Sequence, residues 1–413
     1  MSQSHPTTVR ARQAKPRSGP RRLLALTTVA AVTLSTLGLV VAPAGADPAP
    51  SSVSAGVARA GRPDDGVQTS LNGLVRGGEF PGALASVRGR GGRVRDYTAG
   101  VGDLASGAKV PVNGRVRVAS TTKTFTATVV LQLAGEGKVE LDAPIEKYLP
   151  GLVRGNGNDG SRITVRQLLQ HTSGLEDYGR GLTERYPSYF DFQHRYFEPR
   201  ELVDLALAYK PVFAPGQGWR YNTTGYVLLG LLVQKVTGRP VGEEITNRII
   251  TPLGLRDTYW PAVGEQTIRG PHPKGYYPKT AEPGAELADF TDMDPSMAWT
   301  SGQMISTPKD LNRFLGALLG GELLKPEVLE QMKQTVTVPG QAEWSYGLGL
   351  MKIKLSCGGY AWGHGGDIPG YETRDGVTED GRAATIVVTA QPRTRESANQ
   401  VNTAFDAALC LQK

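Results

Sequence analysis

Apolar and polar positions change rhythm along the chain, and the changes outline its elements. Two short β runs, residues 83–88 and 93–99, flank a glycine-rich turn, the pattern of a β-hairpin. At Val129, Val130, Leu131 and Leu133 the rhythm becomes helical. A short helix is expected from Asp142 with Pro144 in its first turn, and another from a Thr164 cap to a stop at Gly174. Helical periodicity returns over 200–208 and 226–236, the second closing at Gly238 with Pro240 just beyond. Residues 261–295 read as loop, with Pro271, Pro273, Pro278 and Pro283. Thr307 and Pro308 then open a helix to about Leu319. Strands are expected over 347–355, 359–363 and 383–390, and a last helix over 396–409. No internal repeat is evident.

Strands at both ends of this array and helices in its middle predict an α/β (α+β) fold. An antiparallel sheet drawn from 67–130 plus 296–413 and flanked by terminal helices would carry an inserted, mainly helical region, 131–295, within one domain, 67–413. A cleft between the two regions is the expected place for a site. The tyrosines and phenylalanines of 176–198 suit a cleft wall and ordinary packing alike.

Charge and cysteines narrow the setting. The net charge of +7 looks basic, but residues 1–46 hold Arg10, Arg12, Lys15, Arg17, Arg21 and Arg22 and no acid. Removing those six from the 46 lysines and arginines leaves 40 against 39 acids, a net of +1. A nucleic-acid partner loses its electrostatic support. Arg88, Arg90, Arg93 and Arg95 remain, interrupted by glycines, and fit a solvated hairpin better than a binding patch. The basic stretch, the apolar run 23–41 and Ala44-Gly45-Ala46 read as a signal peptide over 1–46, ahead of a flexible linker over 47–66, with an uncleaved anchor as the competing reading. The expected product is a secreted, extracellular monomer with no membrane contact after cleavage. In an exported chain the two cysteines, Cys357 and Cys410, most simply form one disulfide, worth about 4 kcal/mol on the chain-entropy account. His5, His171, His194, His272 and His364 show no metal-ligand spacing, so no metal is expected.

Candidate chemistry begins at Ser120-Thr121-Thr122-Lys123. A serine three residues before a lysine puts hydroxyl and amine on one face of a helix's first turn, where a desolvated lysine can act as proton acceptor. Taken alone the spacing fits a capping serine and a surface lysine as well. His171, at the end of the Thr164 helix, reads as a structural cation meeting the helix dipole. Two further elements are Tyr221-Asn222-Thr223 and Trp362-Gly363-His364-Gly365-Gly366 ahead of a strand.

Together the three motifs resemble those of the penicillin-recognising serine hydrolases, relatives of class C β-lactamases, and most of all the secreted D-alanyl-D-alanine carboxypeptidases. The resemblance runs from about Val67 to Cys410 and includes His171-Thr-Ser-Gly-Leu175, Thr251-Pro-Leu-Gly-Leu255 and Tyr346-Gly-Leu-Gly349. It implies a β-lactamase/transpeptidase-like fold and acyl transfer through Ser120, with Lys123 sharing its proton. Tyr221 would be a second base lowered by the cations Lys123 and His364, and Asn222, Thr223, Gly365, Gly366 and Asp367 would line the substrate. The oxyanion would meet the N–H groups of Ser120 and Asp367, each worth about 3 to 4 kcal/mol. No cofactor is implied. The implied substrate is a peptidoglycan stem peptide ending in D-Ala-D-Ala, with β-lactams as inhibitors. An esterase, a β-lactamase, a D-aminopeptidase and an inactive penicillin- or peptidoglycan-binding module are the alternatives. Two departures set them apart: Thr223 stands where the family has asparagine, and Gly365 where it has a hydroxyl residue that helps bind a terminal carboxylate. Lys352 and Lys354 could supply positive charge instead, if their strand face turns to the site.

Overall fold

A computed structural model describes residues 65–411 apart from Pro283, so the expected signal peptide and nearly all of the expected linker lie outside the described residues. No helix among the described residues is long and apolar enough to cross a membrane.

The frame is an antiparallel sheet. Its strands are β1 (Gly82–Arg88), β2 (Val94–Gly100), β3 (Val336–Thr337), β4 (Trp344–Tyr346), β5 (Met351–Lys354), β6 (Tyr360–Gly363), β7 (Gly366–Ile368), β8 (Tyr371–Thr378) and β9 (Ala383–Val388). They lie in the order β2-β1-β9-β8-β6-β5-β4-β3, with β7 also on β8. The expected hairpin is β1–β2, and β1 pairs on its other side with β9, Ala83 opposite Val388, which brings the two ends of the fold together. β9 is buried at every position because helices cover both faces of the sheet. Gly66–Arg76 and Arg395–Cys410 cover one face and Pro308–Leu319 the other.

β7 is the strand expected after the third motif, whereas β8 escaped the sequence pattern. Their stretch carries Asp367, Glu372, Thr373, Arg374 and Asp375, which break any apolar pattern, yet Glu372, Thr373 and Asp375 are buried. Asp375 accepts from Thr121 in the turn that carries Ser120 and Glu372 pairs with Arg374, so the strand hides its burial from a hydropathy reading. β6 pairs with one end of β8, Gly363 opposite Gly376, and β7 with the other, Gly366 opposite Thr373. They are successive halves of one interrupted strand alongside β8, broken at His364 and Gly365. Gly365 has φ +101°, where a side chain would be strained.

The helix Thr122–Gly135 runs through the centre, buried on almost every side. Phe125 stacks on Phe314 with ring centroids 3.7 Å apart; burying each such ring contributes roughly 2 to 3 kcal/mol. Its threonines are not solvated: Thr126 donates to the Thr300 carbonyl, and Thr300 in turn to that of Tyr226 in the helix Thr223–Thr237. The second helix begins a turn earlier than periodicity suggested because Asn222 caps it.

Several expectations are corrected. Thr164 forms a capping box with Gln167, but the helix is only Val165–Leu169 and does not reach Gly174, since His171 turns left-handed at φ +63°. The helix expected at Asp142 is a single 3-10 turn, Ile145–Lys147, that follows Pro144. Helices Tyr178–Arg185 and Pro326–Lys333 were not anticipated. The 261–295 loop contains a small hairpin, Tyr276–Pro278 with Leu287–Asp289. The disulfide Cys357–Cys410, with Cα atoms 5.7 Å apart, ties the turn between β5 and β6 to the last helix; four strands, β6 to β9, follow that turn before the helix begins.

Candidate active site

Ser120 sits in a 3-10 turn, Ala119–Thr121, that feeds directly into the helix Thr122–Gly135. Ala119 is left-handed at φ +46°, a strained position for a residue with a Cβ. β7 packs against this turn so closely that a Cβ on Gly366 would come 2.6 Å from the Ser120 nitrogen and 2.3 Å from the Val118 oxygen. Only glycine lets the strand approach, and the approach sets Ser120 beside the backbone of Gly366 and Asp367.

Lys123, one helical turn on, places Nζ 3.0 Å from Ser120 Oγ and donates to the Ser301 carbonyl at 2.9 Å. The amine is fully buried, which pushes its pKa down to about 7; Asp177 and Asp367 oppose the shift only in part. Tyr221 lies across the amine, its ring centroid 4.9 Å from Nζ, and its phenol hydrogen-bonds Ser120. Burial holds the phenol well above its usual range, and the Ser120 bond offsets this only partly. Serine, amine and phenol thus converge, and near neutrality the amine rather than the phenol can be the base.

His364 does not supply the expected second cation. Burial, then the neighbouring Lys123, pushes its pKa down to about 3. Nδ1 lies 2.7 Å from the Gly365 carbonyl and Nε2 2.8 Å from Tyr346 Oη. In the neutral ring Nδ1–H therefore donates to Gly365 and Nε2 accepts from Tyr346. The imidazole is fixed in place, 6.2 Å from the Tyr221 ring between centroids. His171 is likewise no helix-end cation: it is buried, its pKa lies well below the usual value through burial, and Nδ1 accepts the Asn222 N–H at 3.1 Å. Its ring packs 4.4 Å from that of Tyr221, so it shapes the second motif from behind.

Asn222 is also spent inside the fold. Its side-chain oxygen accepts from Gly225 N–H at 2.8 Å and its amide donates to the Leu175 carbonyl at 2.9 Å, leaving it no role as a substrate amide. Thr223 does face the site. Its N–H and hydroxyl both donate to Asp177 Oδ2, at 2.5 and 2.6 Å. Asp177 lines the pocket beside Ser120 and was missed in the sequence; it caps the unanticipated helix Tyr178–Arg185, and its Asp-before-helix position was the only available signal. Asp367 stands between the two openings at Ser120, paired with Arg374 at 3.5 Å. Lys352 lies on the far face of β5, over the Tyr360 ring at 4.1 Å, and Lys354 is paired with Glu343 at 3.5 Å. Neither presents a free cation to the serine. Among the described residues no cluster could hold a metal.

Two spaces open from Ser120. A pocket of about 230 Å³ runs under the 178–192 segment, walled by Tyr178, Leu182, Tyr186, Tyr189, Phe192 and Met297. The aromatics of that segment are thus both wall and packing. On the other side a cleft of about 1420 Å³ opens past Tyr221, with Trp219, Trp344, Met351 and Ile353 among its walls.

A Ser-x-x-Lys helix, a facing tyrosine and an interrupted strand, on an antiparallel sheet flanked by helices, define a serine hydrolase of the β-lactamase/transpeptidase fold. Residues 67–408 match the Beta-lactamase family, and the chain belongs to it. A crystal structure of a D-stereospecific amidohydrolase from Streptomyces sp. is similar at 40% identity and a TM-score of 0.75, over 83% of this chain and 98% of that one. Penicillin-binding protein 4* of Bacillus subtilis (strain 168) is 25% identical over 74% of this chain. Esterase EstB of Burkholderia gladioli is 34% identical over 43% of it. The matches span 67% and 46% of those two relatives' own lengths.

Proposed function

We propose that the protein is an amidohydrolase that cleaves small D-aminoacyl amides bearing a free α-amino group, through an acyl-Ser120 intermediate. The observation that carries this reading is the carboxylate of Asp177 in the pocket beside Ser120. It accepts from Thr223 and from Gly179 N–H, and retains lone-pair capacity for a substrate ammonium. The apolar and aromatic walls beyond it suit an uncharged side chain. On the opposite side Gly365 offers no side chain, Lys354 is engaged by Glu343, and Arg374, which lines the cleft beside Gly365, is already paired with Asp367 and Glu372, so no free partner among the described residues awaits a terminal carboxylate there. That weighs against D-Ala-D-Ala peptides of peptidoglycan as the preferred substrate. The D-configuration rests on the likeness to the Streptomyces amidohydrolase.

In acylation the neutral Lys123 amine takes the Ser120 proton as Oγ attacks the carbonyl carbon. The tetrahedral oxyanion is held by the N–H groups of Ser120 and Asp367. Tyr221, phenolic at rest, protonates the departing amine and is reprotonated from Lys123. Water then attacks the ester with the same groups in reverse. The test is a substrate panel: D-phenylalanine amide, its N-acetyl form, and an N-acylated D-Ala-D-Ala peptide. D-phenylalanine amide is expected to be cleaved fastest, and Asp177→Asn to lower its kcat/KM about a hundredfold while sparing the N-acetyl amide. Faster release of D-alanine from the acylated dipeptide would restore the carboxypeptidase reading.

A further inference from the structure

We infer that Asp375 is the positioning residue that keeps the Ser120 turn in register with β7, and that acyl transfer depends on this one buried carboxylate. The inference rests on the serine hydrolase reading. Asp375 stands on β8, and only 1% of it is exposed. Its Oδ2 accepts from Thr121 Oγ1 at 2.5 Å, and its Oδ1 from His364 N–H at 2.9 Å. Thr121 directly follows Ser120, and His364 opens the break between β6 and β7. One carboxylate therefore fastens both sides of the place where the oxyanion would lie: the residue after the serine, and the strand that carries Gly366 and Asp367.

The geometry around it leaves little tolerance. A Cβ on Gly363 would meet the Asp375 carbonyl at 2.0 Å, so the end of β6 lies directly against the backbone of this residue. Gly366 in turn lies directly against the Ser120 nitrogen. A shift of Thr121 relative to His364 therefore changes the spacing of the Ser120 and Asp367 N–H groups, and displacements near 1 Å cost catalysis steeply. Asp375 has no ion-pair partner among the described residues. A buried carboxylate without a counter-ion is costly unless hydrogen bonds satisfy it, and the donors here come from the two catalytic motifs. Asp375 touches neither Lys123 nor the place of the substrate's amine, so it acts through position alone.

Asp375→Asn keeps the shape but can accept on only one oxygen, and Thr121→Val deletes the hydroxyl alone. Both are expected to fold, with urea midpoints lowered by the loss of one buried hydrogen bond, and each to lower kcat on an aminoacyl anilide about tenfold to a hundredfold with KM within threefold. The double variant is expected to be no worse than the poorer single one, since both substitutions act on the same Asp375–Thr121 pair. Losses that add, or a kcat within twofold of the parent in either folded variant, would overturn the inference. If Asp375→Asn does not fold, Thr121→Val alone decides. An active Ser120→Ala protein would overturn the hydrolase reading itself. An inactive Ser120→Ala beside unimpaired Asp375→Asn and Thr121→Val would overturn the positioning role only.

Discussion

Replacing Lys123 by methionine should make the protein more stable while abolishing its chemistry. The amine is buried, and the gap between its usual pKa of 10.5 and the value of about 7 imposed by burial measures what the fold loses by holding it. At roughly 1.4 kcal/mol per tenfold, the protonated amine costs about 5 kcal/mol. Between pH 7 and 10.5 the unfolded chain binds a proton that the folded one does not, so stability rises with pH across this window and the full cost is felt only below it. At pH 9.5 about 1.5 kcal/mol remains. Methionine fills a similar volume without charge, but strands the Ser301 carbonyl and the Ser120 hydroxyl, a loss of about 1 to 2 kcal/mol. Lys123→Met is therefore expected to be more stable than the parent by about 3 kcal/mol at pH 6.5 and no more stable at pH 9.5. Urea unfolding of both proteins at the two pH values reads this directly. Its kcat should fall by at least about a hundredfold for want of a base. A variant less stable than the parent at pH 6.5, or one whose advantage does not change with pH, would refute the assignment of Lys123 as a depressed amine.

Three more expectations follow from the same geometry. In the parent, kcat/KM should rise with pH through about 7 as Lys123 loses its proton, with no fall attributable to Tyr221 at moderately alkaline pH; a profile flat from pH 6 to 8 would contradict Lys123 as base. Gly366→Ala should lower kcat more than a hundredfold, because the new methyl meets the Val118 oxygen and the Ser120 nitrogen; near-parental turnover would show that the strand is free to retreat. Cys357→Ser should lower unfolding stability by about 2 to 4 kcal/mol with kcat retained, since the disulfide closes a 53-residue separation at the end of β6 opposite to the one that leads to His364; an unchanged urea midpoint would count against it.

The sequence by itself determined the order of elements wherever burial follows a period, as in the β1–β2 hairpin, the capped helix after Thr307 and the helix ending at Gly238. It also marked Ser120, Lys123, Tyr221 and His364, because local spacing puts the first two on one helical turn and the family pattern adds the others. Protonation was beyond its reach. Whether Lys123 is a base, and whether His364 and His171 are cations, depends on desolvation, and desolvation is fixed by residues far away in the chain. Asn222 looked like a substrate ligand and became a helix cap, since its partners Gly225 and Leu175 are decided by how two helices meet. Asp177 and Asp375 were invisible for the converse reason. Each is an ordinary acid in the chain, and only the packing of the 178–185 helix and of β8 against the serine turn brings its carboxylate to the site. Ser120 and Lys123 are a fact of sequence spacing; the pocket beside them is a fact of tertiary contact.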